Sequence, residues 1–384
     1  MKRLRVGVIY GGRSGEHEVS LASAAAVIAN LDRQRYEPVA LRIEKDGRWT
    51  LADRLPSVSS AAEVIAHARL ESGRSLRAAR EVHLVAHPGE ETILSIDRAA
   101  RGDAGHALVT GVGLDVIFPV LHGPLGEDGT VQGLLELANL PYVGCGVLAS
   151  AVGMDKAMMK TVFAQHGLPI VDHAVVLRRE WHRDRERLTS EILARLPLPL
   201  FVKPANLGSS VGISKVTTPD ALGPAIDAAA EFDRKIVVEA GVVNAREIEC
   251  AVLGNDEPVA SVAGEVIPSR EFYDYEAKYL DSASQTIIPA DLTPAQLAEV
   301  QRLAIRAFTA IDGAGLARVD FLLSRDTGRF YVNEINTLPG FTTISMYAKL
   351  WEASGLPYPA LLDRLIQLAL ERHAEKQQLR TSAI

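Results

Sequence analysis

Cysteine is almost missing from this chain. Of 384 residues only Cys145 and Cys250 carry a thiol, and they form no CxxC pair. That excludes a disulfide framework and a cysteine zinc centre, and it makes a reducing cytoplasm the expected location. A surplus of positive charge is missing too. Lys and Arg number 41 against 48 Asp and Glu, a net charge of −7, so a nucleic-acid backbone is not the main partner, although local basic sites for phosphates stay open. No apolar run approaches the roughly 20 residues of a membrane span. The basic start MKRLRVGVIYGG has too short an apolar run for a signal peptide and reads as a strand. Internal repeats and low-complexity linkers are lacking. So are the GxGxxG dinucleotide fingerprint and the Gly-Lys-Ser/Thr ending of a Walker loop. What remains is a protein of two or three domains, with 47% hydrophobic residues to fill its cores.

What is present opens with strand, glycine loop and helix. LRVGVIY, GGRSGEHEVS and VSLASAAAVIANL follow one another, the start of a doubly wound α/β unit. Residues 51–110 hold an Ala/Arg-rich helical stretch and two strand-like runs, EVHLVAHPG and ETILSID, an elaboration of the first domain. LDVIFPVLHG (114–123) predicts a buried strand running into a loop. Residues 155–166 predict a helix stopped by Gly167. Further on come a strand, Gly/Ser loop and strand in LPLPLFVKPANLGSSVGISKV, and a buried strand in KIVVEAGV (235–242). REIECAVLG and PVASVAGEV alternate like neighbours in an antiparallel sheet. TPAQLAEVQRLAIRAFTAIDG predicts a helix with Thr293 as N-cap, Pro294 at its first position and Gly313 as its stop. Leu297, Val300, Leu303, Ala307 and Ile311 form its apolar stripe.

Chemistry concentrates in four places. GLARVDFLLSRDTGRFYVNEIN predicts a hairpin turning at RDTGR. Arg318 and Asp320 share a face of its first strand, Glu334 and Asn336 a face of its second. With residue 324 opposite residue 330, Asp320 faces Glu334. Facing carboxylates repel unless a hard dication sits between them, and Mg²⁺ takes carboxylate, amide and phosphate oxygens and arrives with a nucleotide. A solvated polar face is the alternative. In KPANLGSSVGISK (203–215) a lysine ends a strand and a Gly/Ser loop follows. Its glycines let N–H groups turn around an anion, which makes it a phosphate flap beside a Mg²⁺ hairpin and a plain turn without one. HGPLGEDGTVQG (122–133) is rich in glycine, a sign of close approach to a ligand, and His122 has no second histidine at metal spacing. His122 is open to a ligand-facing or a structural role. Glu16 stands at the mouth of the first strand–helix turn, where it either pairs with a ligand's ammonium or interacts with the helix dipole.

In order and over nearly the whole chain, GGRSGEHEVSL, HGPLGEDGTVQG, SAVGMDKAMMK, VKPANLGSSVGISKV, EIECAVLGN, FYDYEAKY and RVDFLL…FYVNEINTLPGFT resemble the blocks of the D-alanine–D-alanine ligases of the ATP-grasp superfamily. The resemblance implies an α/β, three-domain ATP-grasp architecture. Residues 1–144 would be an N-terminal doubly wound α/β substrate domain. Two α+β domains would grip ATP, a central one at 145–241 and a C-terminal, Mg²⁺-binding catalytic one at 242–384. It implies ATP and two Mg²⁺ (or Mn²⁺) ions, D-alanine as substrate, a homodimer, and peptidoglycan precursor synthesis in the cytoplasm.

Residue by residue, the resemblance gives Lys156 and Lys203 to the ATP phosphates, and Ser209 and Ser210 to the flap over them. Glu239 and the backbone after it match the adenine hinge, and Glu247 the ribose contact. Lys278 and Asn333 complete the nucleotide set. Asp320, Glu334 and Asn336 match the metal ligands. Arg318 and the N–H of Gly340 match the oxyanion donors. Glu16 matches the group that holds the first D-alanine's ammonium, with His122 nearby, and joins Ser209 and Tyr279 in a hydrogen-bond network. Ser345 and Met346 fall at the second substrate. Methionine departs from the leucine expected there and is read as a packing swap.

The implied chemistry converts one D-alanine carboxylate to an acyl phosphate, which the second amine attacks. No covalent enzyme intermediate is needed. A lid must exclude water, and SREFYDYEAKYLDSASQ (269–285) is its expected place. Relatives that make D-alanyl-D-lactate carry a histidine at the matching lid position. Tyr279 is neutral at pH 7, which implies peptide rather than depsipeptide formation. Other readings are a sister ATP-grasp ligase with a different acceptor, a silent nucleotide-binding protein on the same fold, and a dehydrogenase, which lacks its fingerprint.

Overall fold

The computed structural model describes residues 2–52, 80–89, 92–97, 108–267, 285–342 and 344–380. Most of the predicted Ala/Arg-rich helix, and the predicted lid with Lys278 and Tyr279 up to residue 284, lie outside these residues. Among the described residues three sheets organise the chain. The first has seven strands: β1 (Leu4–Gly11), β2 (Tyr36–Ile43), β3 (Trp49–Leu51), β4 (Arg80–Leu84), β5 (Ile93–Asp97), β6 (Leu108–Val112) and β7 (Val116–Pro119), in the order β6-β5-β4-β3-β2-β1-β7. β1 runs parallel to β2 and β7. The strands beyond β2 add on antiparallel. Six consecutive residues of β1 are buried, as a strand covered on both faces requires. Helix α1 (His17–Asn30) is apolar around most of its circumference and buries ten side chains, the mark of a helix packed on several sides.

The second sheet holds β8 (His173–Leu177), β9 (Leu200–Pro204), β10 (Ser214–Val216) and β11 (Lys235–Ala240), in the order β10-β9-β11-β8. The third holds β12 (Ala245–Gly254), β13 (Val259–Ile267), β14 (Gln285–Ile287), β15 (Gly315–Ser324) and β16 (Phe330–Asn336), in the order β14-β13-β12-β15-β16. Both are antiparallel throughout. Helices α2 (Thr130–Leu137), α3 (Val147–Met154) and α4 (Lys156–Gln165) lead from the first sheet to the second. α5 (Arg178–Arg183), α6 (Arg185–Arg195) and α7 (Leu222–Ala230) belong to the second. α8 (Pro294–Ala310), α9 (Met346–Ala353) and α10 (Tyr358–Lys376) belong to the third.

The cores show which parts hold together. Val6, Val8 and Phe118 of the first sheet share one core with Ala251 and Leu253 of β12, and with Tyr347 and Leu365 of α9 and α10. Met159 and Phe163 of α4 join α8 and the other face of the third sheet. The second sheet packs its own core around Trp181, Val202, Ile226 and Val238. Its opposite face meets α4 through the small cluster Ala157, Ala205 and Val237. Among the described residues no helix is long and apolar enough to cross a membrane.

Two helix ends test the local reading. Asp155 caps α4 from outside, its carboxylate accepting the N–H groups of Ala157 and Met158 at 3.1 Å each, and Gly167 takes the left-handed turn after it. α8 has the expected cap, with Thr293 and Gln296 forming a reciprocal capping box. Its stop differs. Asp312, not Gly313, takes the left-handed conformation (φ 62°), and the Gly313 N–H donates to Phe308 O at 2.9 Å. Glycine is needed at 313 for closeness: a Cβ there would lie 2.6 Å from the Phe308 ring.

Candidate active site

The β15–β16 hairpin forms one wall of a cleft. Asp320 lies opposite Glu334 and Arg318 opposite Asn336, the pairing expected from residue 324 opposite residue 330, but that register is not the one observed: Leu323 rather than Ser324 pairs with Phe330. The difference of one is taken up by a bulge at Asn333. It inverts the alternation: Phe330 and Val332 face the core, and so does Ile335. Asn333, Glu334 and Asn336 are left on the cleft side, which a regular strand could not do with both 333 and 334. Across the sheet Glu249 of β12 pairs with Asp320. Arg318 ties the carboxylates together. Its Nε and Nη2 donate to the two oxygens of Asp320 at 2.7 Å each, and Nε stands 3.0 Å from Glu249 Oε2. Burial opposes the Arg318 charge, but Asp320 and Glu249 outweigh it and hold the guanidinium firmly protonated.

The facing wall is the turn between β9 and β10. Val211 N–H donates to Gly208 O at 3.2 Å, with Ser209 and Ser210 both left-handed at φ 53° and 57°. This is a type I′ turn with serines at positions that favour Gly or Asn. Lys156, at the start of α4, donates to Leu207 O at 2.7 Å and stands 3.8 Å from Glu334 Oε2, so it links the two walls. Ser209 Oγ donates to Glu16 Oε1. That bond ties the turn to the first sheet. The Glu16 carboxylate also lies where a side chain at Gly123 (φ +76°) would begin, 3.0 Å from an ideal Cβ.

Behind the turn lies a buried charged group. Lys203 Nζ donates to Glu239 Oε2 at 2.9 Å and to Asn333 Oδ1 at 3.3 Å. Lys160 Nζ stands 3.1 Å from Glu239 Oε1. Burial alone would raise the Glu239 pKa, but Lys160 and Lys203 more than offset it and hold it at about 2. For Lys203, burial is outweighed by Glu239, Glu334 and Glu247, and its pKa is raised. Glu247 sits on β12 opposite Leu322.

At the far end the loop after β16 closes the cleft. A Cβ on Gly340 would come within 3.0 Å of Ser345 Oγ, which itself accepts the Thr342 N–H at 2.9 Å. Met346 opens α9, and its Cε fills the space that Gly264 leaves by lacking a Cβ. His122 is 4% exposed. Its Nε2 meets Ser23 Oγ at 3.1 Å, and Nδ1 stands 3.7 Å from Glu127. Burial works against its charge, but Glu127 and Glu16 outweigh that and raise its pKa. The cleft encloses about 140 Å³.

The structure thus brings Glu16, His122, Lys156, Ser209, Arg318 and Glu334 to one cavity, with Asn336, Gly340, Ser345 and Met346 completing its wall. Lys203, Glu239 and Asn333 form the layer behind, and Ser210 shares the turn with Ser209. Lys160, Glu249 and Glu127 are the members the sequence reading passed over. Lys160 had a signal, a second lysine one turn after Lys156 on a helix with buried Ala157, Met159 and Phe163.

The donor set fits a hard cation. Two carboxylates facing across a ladder and an amide two residues on are oxygen ligands of the type Mg²⁺ takes, with phosphate or water supplying the rest. Asp320 is held by Arg318, and Asn336 Oδ1 accepts the Leu338 N–H at 2.9 Å. Among the described residues no group of three or more His, Cys, Asp or Glu is disposed to hold a metal.

Three sheets with a charge-lined cleft between the second and third define an ATP-grasp architecture, and the chain is a ligase of that class. The model for the D-ala D-ala ligase N-terminus matches residues 5–145, and that for the D-ala D-ala ligase C-terminus matches residues 162–367. A D-alanine–D-alanine ligase of Heliobacterium modesticaldum is 51% identical over 384 residues, covering 100% of this chain and 99% of its own. One from Bacillus cytotoxicus is 45% identical, with 99% of each chain covered. Among solved structures, the D-alanine–D-alanine ligase from Coxiella burnetii superimposes with a TM-score of 0.80 at 38% identity, over 98% of this chain and 97% of that one. A D-Ala:D-Ser ligase from Enterococcus faecalis gives 0.78 at 33%, over 96% and 100%. The chain belongs to the D-alanine–D-alanine ligase family.

Proposed function

We propose that the protein joins two molecules of D-alanine into D-alanyl-D-alanine, with ATP converted to ADP and phosphate, to supply peptidoglycan precursors in a bacterial cytoplasm, and that it works as a homodimer. One observation carries the reading. Glu16, an acceptor for an ammonium, is bonded through Ser209 to the same turn whose Leu207 carbonyl holds Lys156. An amino acid held by its amine at Glu16 therefore lies in one cavity with the phosphate-binding lysine and the carboxylate hairpin.

In this mechanism Glu16 orients the first D-alanine by its ammonium, and His122, fixed between Ser23 and Glu127, backs that site. Lys156 and Lys203 neutralise the phosphates while the terminal phosphoryl group moves to the D-alanine carboxylate. Asp320, Glu334 and Asn336 would hold Mg²⁺ (two ions, or Mn²⁺), which supplies charge neutralisation at the transferring phosphoryl group. The amine of the second D-alanine, seated near Ser345 and Met346, attacks the acyl phosphate. Arg318 and the Gly340 N–H stabilise the tetrahedral oxyanion, and phosphate departs. Glu239 and the backbone after it hold the adenine, Glu247 the ribose, with Lys278 completing the set. Tyr279, being neutral, admits an incoming amine.

The test is phosphate release with ATP and Mg²⁺, with products identified by mass. Release with D-alanine alone and a dipeptide product is expected, with none from L-alanine. Release only when D-lactate or D-serine is added would move the activity to a sister ligase. Tyr279→His should shift preference toward D-lactate at pH 6; an unchanged preference would remove Tyr279 from acceptor selection.

A further inference from the structure

Lys160 is fully buried, 0% exposed, and no step above uses it. It lies one turn after Lys156 on α4, so the two side chains leave one helix face. They end at different partners. Lys156 reaches the turn carbonyl of Leu207, and Lys160 stands 3.1 Å from Glu239 Oε1. The other oxygen of that carboxylate, Oε2, accepts from Lys203 at 2.9 Å. Burying an ammonium carries a desolvation cost that a methionine of similar length would not, and here burial lowers the Lys160 pKa despite the opposing pull of Glu239. A charge kept under that cost calls for a use.

The use lies in the ratio of charges. Two ammonium groups share one carboxylate. Lys203 therefore holds one oxygen of Glu239, and its second contact is the neutral Asn333 Oδ1 at 3.3 Å. With Lys160 gone, the whole charge of Glu239 would fall to Lys203, and in a buried setting that pair would tighten. We propose that Lys160 is a positioning residue for the nucleotide: it takes up Glu239 so that Lys203 can exchange that carboxylate for a phosphate oxygen of ATP. The inference deepens the ATP reading above and rests on it.

The experiment measures Mg·ATP binding by calorimetry, and steady-state constants, for the full chain and for Lys160→Met. The unmodified chain binds Mg·ATP. Lys160→Met weakens that binding about 10-fold or more and raises the KM for ATP by a like factor, while the KM for D-alanine stays within about twofold. Its melting temperature is recorded beside the binding, because Glu239 then keeps only Lys203, and the comparison at a temperature where both proteins are folded separates stability from affinity. A structural role alone would not move the ATP constants selectively. The decisive arm is Lys160→Met with Glu239→Gln. Removing the carboxylate frees Lys203 again, so, read against Glu239→Gln alone because Glu239 also stands at the adenine, the lysine change costs less Mg·ATP affinity in the double variant than in the unmodified chain. If Lys160→Met is not recovered folded, Lys160→Gln enters the same cycle. Binding unchanged in the lysine variant, or losses in the double variant that simply add, would overturn the inference and leave the ATP reading standing. No binding by the unmodified chain would overturn the ATP reading and the inference with it.

Discussion

The two walls of the cleft hold their polar groups in opposite ways. On the β12–β15–β16 wall, charge sits on strands with buried neighbours: Asp320 between Val319 and Phe321, Arg318 between Ala317 and Val319. The ladder sets each position, and Arg318 locks Asp320 with two 2.7 Å bonds. On the facing wall two consecutive serines are left-handed at the tip of a turn, and one side-chain bond from Ser209 joins that tip to Glu16. The first wall fixes charges where phosphoryl transfer needs them preorganised. The second carries its hydroxyls on a turn, the kind of segment that can admit and release a nucleotide. The lesson is that rigidity and access are divided between two sheets rather than compromised within one.

The largest effect should follow from unlocking the fixed wall. Arg318→Met takes the guanidinium from between Asp320 and Glu249, and is expected to cost about 3–5 kcal/mol of stability together with activity, read by urea unfolding. A loss below about 1 kcal/mol would mean the wall is not held by charge. Glu334→Gln keeps shape and removes charge. Turnover should fall about 100-fold or more with the melting temperature little changed, and equal turnover would take Glu334 out of phosphoryl transfer.

Acid should act on the buried group behind the flap. Glu239 is depressed from 4.5 to about 2. A depressed carboxylate contributes stability in full above its unfolded value and loses it as pH falls toward the folded one. Urea midpoints should therefore drop between pH 4.5 and 2 by more in the unmodified chain than in Glu239→Gln. Equal slopes would remove Glu239 as a source of acid sensitivity.

A smaller change belongs to the flap. Ser209→Ala removes the bond to Glu16 and should raise the KM for the first D-alanine about 10-fold, the scale of one hydrogen bond to a charged group.

The fixed wall was the more legible of the two. Alternation in RVDFLL and FYVNEIN put Arg318 with Asp320 and Glu334 with Asn336 on shared faces, and the facing of Asp320 and Glu334 followed from a 324–330 register that holds at that pair only because of the bulge. The bulge at Asn333 was passed over, although the step from Val332 to Ile335, three where two is regular, marks it once the core face is known. Glu249 shares a strand face with Glu247, but its meeting with Arg318 depends on pairing with a strand some seventy residues on, which no local pattern encodes. Lys160 hid for a different reason. A lysine in an amphipathic helix reads as solvated, and only the packing of Ala157 on Ala205 and Val237 buries that face. At the end of α8 the choice of Gly313 as the stop followed composition, whereas Asp312 tolerates the left-handed turn and Gly313 answers a contact with Phe308. The strand-like runs between residues 80 and 97 were visible and pair with each other as neighbours, but they join the sheet through β3, a three-residue strand about thirty residues before β4, which periodicity does not mark.

The central claim is that this cleft activates a carboxylate by phosphorylation. The most direct test supplies D-alanine labelled with ¹⁸O in its carboxylate, with ATP and Mg²⁺, and analyses the released phosphate by mass. Transfer of one labelled oxygen to each phosphate is expected, because the acyl phosphate breaks at its acyl carbon when the second amine attacks. Dipeptide formed alongside unlabelled phosphate would contradict the account, since the carboxylate oxygen would never have met the phosphoryl group.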